Sequence, residues 1–153
     1  MMTLIVPIAA DKADYVSKLP QPFRIDDEGT MYCVKAITGL PLNDFQDIYF
    51  VILRAHDSRF MLSEQLAMQF RKLKLANAHV TILDEPTTSQ AETVSRAIEL
   101  NSIKGTIFIK DADCYLLPMK SCLKTGWPSM LWKTYRLLTH NTKVTCRSMT
   151  CSM

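Results

Sequence analysis

The chain is predicted to adopt an α/β fold in which helices cover both faces of a mostly parallel sheet. Apolar runs of strand length alternate with amphipathic stretches of helical period, and two of the runs are continuous, as in strands buried on both faces. Residues 3–8 (TLIVPI) and 47–53 (DIYFVIL) are the continuous runs and are expected at the centre of the sheet. Residues 78–83 (AHVTIL) and 105–109 (GTIFI) are shorter and rich in β-branched side chains. Acids follow both closely, so their carboxyl ends should open onto a polar rim. Four parallel strands result.

Three helices are expected between them. Over 30–38, Met31, Val34 and Ile37 form a stripe that Gly39 and Pro41 close off. Over 63–76, Leu66, Met68 or Phe70, Leu73 and Ala76 share a side opposite Arg71, Lys72 and Lys74. Over 89–100, Ser89 caps, Glu92 follows three residues on as in a capping box, and Val94, Ala97 and Ile98 face inward. Met61 and Met68 are read as core filler. Parallel sheets of this βαβ kind bind ligands at the carboxyl ends of their strands. The residues after Ile8, Leu53, Leu83 and Ile109 therefore matter most.

With 153 residues, 48% of them apolar, the chain can form one domain with a sizeable core. The net charge of +3 comes from residues 114–153, which hold six Lys or Arg and no acid; residues 1–113 hold 12 basic and 15 acidic residues. No basic cluster with interleaved aromatics occurs in 1–113, so nucleic acid is not an expected partner. The apolar start is too short for a signal peptide and no run reaches membrane-spanning length. A cytoplasmic protein without membrane insertion is expected. Cys33, Cys114, Cys122, Cys146 and Cys151 show neither zinc-ligand spacing nor a disulfide framework.

Sequence character changes after Asp113. Residues 114–153 hold both tryptophans, four of the five cysteines and four of the nine methionines, with no sustained helical or strand period. Met and Trp each have one codon, ending in G, so reading one nucleotide early has fixed results. Met119 with Lys120 gives Glu, Trp127 with Pro128 gives Ala, Trp132 with Lys133 gives Glu, and Met149 with Thr150 gives Asp. The missing acids return in that frame. Residues 1–113 are accordingly expected to begin a longer protein, and 114–153 to be an out-of-frame, poorly structured basic tail. The alternative is a genuine tail that binds nucleic acid or membrane.

The sharpest strand-end motif is Asp111-Ala112-Asp113, preceded by Lys110. Two carboxylates one residue apart can direct oxygens toward a single hard cation such as Mg²⁺, which keeps waters and shares substrate phosphate oxygens. Two solvated acids closing a strand are the plainer alternative, and Lys110 is read as a solvated strand-end lysine. The turn from Asp84 into Gln90-Ala91-Glu92-Thr93 could offer backbone N–H groups and the Gln90 amide to a base or a phosphate, or serve only as a cap. The first loop contains the small residues Ala9 and Ala10 and offers Lys12 and Lys18 as anion contacts, but it lacks the glycines of a phosphate-binding loop. His56 and His79 lack an aligned nucleophile, so no hydrolytic triad is read and local polar roles suffice.

These motifs, in this order, resemble the sugar-phosphate nucleotidyltransferase family over most of residues 3–113. The likeness lies in the opening Leu4-Ile5-Val6-Pro7-Ile8-Ala9-Ala10, in Leu19-Pro20-Gln21-Pro22 and in Asp27-Glu28-Gly29-Thr30-Met31. It continues in Gln90-Ala91-Glu92-Thr93-Val94 and in Ile109-Lys110-Asp111-Ala112-Asp113. The resemblance implies a Rossmann-like, GT-A-type domain of which 1–113 are the nucleotide-binding half, incomplete at its carboxyl end. It implies nucleoside triphosphate and sugar phosphate as substrates, Mg²⁺ as cofactor, and an activated sugar for surface polysaccharide as product. Asp111 and Asp113 would hold the metal, Ala9, Ala10, Gln90, Ala91 and Thr93 the nucleotide, and Lys12 would be catalytic. The family pattern has a glycine-rich first loop and a lysine where this chain has Gln21; weak or no activity is expected, since an open sheet without its remaining strands leaves apolar surface and strand edges exposed. A glycosyltransferase using a nucleotide-sugar donor and a non-catalytic nucleotide-binding module are the alternatives.

Overall fold

The computed structural model describes residues 2–9 and 18–113, with the backbones of two further strands at 132–139 and 142–149. Its elements in chain order are β1 (Met2–Pro7), α1 (Tyr32–Lys35), β2 (Phe45–Leu53), α2 (Arg54–Phe60), α3 (Leu62–Lys72), β3 (Ala78–Leu83), α4 (Gln90–Leu100), β4 (Thr106–Lys110), β5 (Trp132–Thr139) and β6 (Thr142–Met149). Short 3₁₀ turns occupy Gln21–Phe23 and Leu42–Asp44. The four predicted strands are all present and all parallel, in the order β3-β2-β1-β4. Beyond β4, β6 adds in parallel and β5 pairs antiparallel to β6, within the stretch where the sequence shows no sustained period.

Side-chain alternation along each strand explains why this sheet is covered on both faces. Leu4, Val6, Ile48, Phe50, Ile52 and Phe108 point to one side, where α1 and α3 deliver Val34, Leu62, Leu66 and Phe70. Ile5, Val51, Leu53, Ile107 and Ile109 point to the other, where α4 delivers Val94, Ala97 and Ile98. The continuous apolar runs are thus the double-sided strands they were expected to be.

The helices differ more from expectation. The stripe over 30–38 yields one α-helical turn, because Ile37 and Thr38 N–H bond three residues back, to Val34 and Lys35, and tighten the chain into turns. α3 stops at Lys72. There Lys74 takes a left-handed φ of 56° while the Leu75 N–H bonds the Phe70 carbonyl at 2.9 Å, a Schellman closure without the usual glycine. α2 occupies the residues after Leu53, where no helix was expected, and a left-handed Met61 (φ 52°) separates it from α3. Met61 and Met68 are 56% and 61% exposed, so neither fills the core. Among the described residues no helix is long and apolar enough to cross a membrane.

Candidate functional site

From β1 the chain moves outward through β2 and β3, then returns to the opposite side of β1 as β4. Open parallel sheets leave a crevice at the carboxyl ends of the two strands flanking such a reversal. A cleft of about 650 Å³ opens there, with Pro7 and Ile8 from the end of β1 and Asp111, Ala112 and Asp113 from the end of β4. Both structural layers contribute to its walls. Lys18, Gln21 and Arg24 come from the segment that buries Phe23 among the α1 and α3 contacts; Gln90 is the first residue of α4, on the other face.

Gln90 and Asp111, 21 positions apart, meet here: the Gln90 Nε2 donates a hydrogen bond to Asp111 Oδ1. Asp111 is half-buried and Asp113 exposed. Beneath them Lys110 is fully buried and donates from Nζ to the Asp111 carbonyl at 2.9 Å. This corrects the solvated strand-end reading. The end of β4 turns Lys110 inward, and its ammonium bonds the main chain of Asp111. Burial pushes its pKa down, while the charges of Asp111 and Asp113 act in the opposite direction.

Local chemistry fixes Gln90. Ser89 caps α4 by accepting the Glu92 N–H at 3.2 Å. The Glu92 carboxylate reaches back to the N–H and hydroxyl of Thr88, both at 2.8 Å, one residue earlier than in a standard capping box. These bonds and the Arg96 guanidinium hold the Glu92 carboxyl below its ordinary pKa. Thr93 is buried and shares a 2.5 Å hydroxyl–hydroxyl bond with Thr87, so its side chain secures the turn and does not line the cleft. Ala91 is exposed outside the lining, and Ala9 is wholly buried in the α4-side core. Ala10 and Lys12 lie outside the described residues.

His56, in the first turn of α2, lines the cleft while only 3% exposed. The sequence reading gave it no role at a site. Its place three residues after a central strand was the available signal. Asp84, by contrast, is engaged by Arg54, which ties the ends of β2 and β3.

Among the described residues no three His, Cys, Asp or Glu side chains converge as a metal-ligand group. Mg²⁺ does not need such a cage, since one or two carboxylates with waters and phosphate oxygens complete its shell. Asp111 and Asp113, side by side on a cleft of this volume, fit that mode of binding. Comparison with protein-family models, curated proteins and solved structures yields no match for the chain.

Proposed function

We propose that the cleft binds a magnesium–nucleoside triphosphate, and that the chain has the nucleotide-binding site of a Rossmann-like, GT-A-type nucleotidyltransferase acting on a sugar phosphate in the cytoplasm. The observation that carries this reading is the meeting of Gln90, Asp111 and Asp113 in one cleft at the reversal of strand order. In the reaction an oxygen of the sugar phosphate attacks the α-phosphorus. The bond from that phosphorus to the bridging oxygen breaks, and pyrophosphate leaves with the bond's electron pair. Bound Mg²⁺, held by Asp111 and Asp113, would neutralise phosphate charge.

The chain's own residues orient the substrates. Asp111 fixes the Gln90 amide through Nε2, leaving Oε1 to accept a hydrogen bond from a nucleobase. Buried Lys110 holds the Asp111 main chain, so the two carboxylates keep their spacing. The Asp111-x-Asp113 pair also suits a glycosyltransferase, which would consume a nucleotide-sugar and release no pyrophosphate. Pyrophosphate release from triphosphate and sugar phosphate decides between them. Asp111→Asn is expected to lower that release at least about a hundredfold, in line with the loss of a preorganised electrostatic group. Unchanged turnover would remove Asp111 from the site.

A further inference from the structure

Lys18 and Arg24 line the same cleft from the segment around the Gln21–Phe23 turn. Both are exposed, and among the described residues neither side chain forms an ion pair or hydrogen bond. Arg24 nevertheless stands on fixed backbone. Its N–H donates to the Gln21 carbonyl at 3.0 Å, its carbonyl accepts from the Tyr32 N–H at 2.9 Å, and the preceding Phe23 is 1% exposed in the core. Asp26, two residues after Arg24, is engaged elsewhere: it receives the N–H groups of Glu28 and Thr30 together with the Lys35 ammonium. Within the cleft, Asp111 is engaged by Gln90.

Two cations that share a cleft with two carboxylates, yet pair with neither, keep their donors for a ligand. A guanidinium presents a planar fork matched to two oxygens of one tetrahedral anion, and an ammonium adds a point charge. We propose that Lys18 and Arg24 form an anion subsite for the phosphate group of a phosphomonoester, filled without a divalent cation. The subsite stands on these two side chains and does not depend on the nucleotide reading. Together the carboxylates and these cations would let one cleft hold two phosphate-bearing ligands, one through metal and one directly.

Calorimetric titration of inorganic phosphate into the full chain, with EDTA present, tests the proposal. The wild-type chain is expected to bind phosphate under these conditions, and Lys18→Glu and Arg24→Glu each to weaken binding at least about tenfold. Arg24→Lys, which keeps the charge and loses the fork, should fall between. Asp111→Asn should bind phosphate at least as well as wild type, because it removes a nearby negative charge. Failure of the wild-type chain to bind phosphate without Mg²⁺ would overturn the subsite, as would undiminished binding in a Lys18→Glu/Arg24→Glu double variant with an unchanged circular dichroism spectrum. Magnesium–triphosphate binding, measured separately, reports on the nucleotide site alone.

Discussion

Burial and local bonding set individual ionisations that bulk composition does not reveal. Cys33, on α1, is fully buried in the core, and burial pushes its thiol up to about 12 from an ordinary 9.0. The folded chain then keeps a proton that the unfolded chain loses, so this group's contribution to stability is complete below pH 9.0 and declines as pH rises toward 12. The decline approaches about 1.4 kcal/mol per pH unit. Cys33→Ala should flatten the alkaline limb of stability measured by urea denaturation. Glu92 acts in the opposite sense. Its lowered pKa stabilises the fold above its unfolded value of 4.5, and that contribution disappears as pH falls through the folded value. Glu92→Gln should therefore make the acid limb shallower while leaving the alkaline limb unchanged. The carboxylates of the candidate site were legible as candidates because they follow an apolar run at the carboxyl end of a strand, although Asp84, placed in the same way, is engaged by Arg54. Lys110 and His56 were not legible, since nothing in their residue type tells a buried group from a solvated one.

At the scale of elements, the strands were easier to read than the helices. A strand buried on both faces is apolar at successive positions, as β1 is over Leu4–Val6 and β2 over Phe50–Leu53. The helix ends depend on left-handed residues that carry no glycine signal: Lys74 closes α3 and Ser102 closes α4, with φ values of 56° and 50°. After α4 the Ile103 N–H bonds the Ile98 carbonyl at 3.0 Å, the same Schellman pattern as at Leu75. A side chain in this conformation costs roughly 1–2 kcal/mol, part of which glycine gives back as unfolded-state entropy. Ser102→Gly should stabilise the protein by about 0.5–1 kcal/mol. At the other end of α4, Ser89→Ala should destabilise by about 1 kcal/mol and loosen the placement of Gln90. Thermal denaturation of the two single variants checks both signs. The absence of α2 from the sequence prediction has a similar origin, because the helix follows Leu53 with no glycine or proline to mark the change.

For the whole molecule, the order β3-β2-β1-β4 is the feature from which the functional account follows, and it was not legible in the sequence. Periodicity showed that four strands would be parallel. It could not show that β4 would return beside β1, because the pairing of distant strands is set by how helices pack over both faces. That return brings Asp111 to Gln90 and creates the cleft. It also places β1 between two parallel neighbours and β3 at an edge. Amide hydrogen exchange should accordingly be slowest in β1 and β2 and faster at alternate positions of β3, whose outer N–H groups have no strand partner among the described residues.

The central claim is that this strand-reversal cleft takes a metal-bound nucleotide, and calorimetric titration of each nucleoside triphosphate with Mg²⁺ tests it most directly. The account predicts saturable binding of at least one triphosphate that is weakened at least about tenfold both by removing Mg²⁺ and by Asp111→Asn. Binding indifferent to Mg²⁺ and to Asp111, or no binding of any triphosphate, would contradict it.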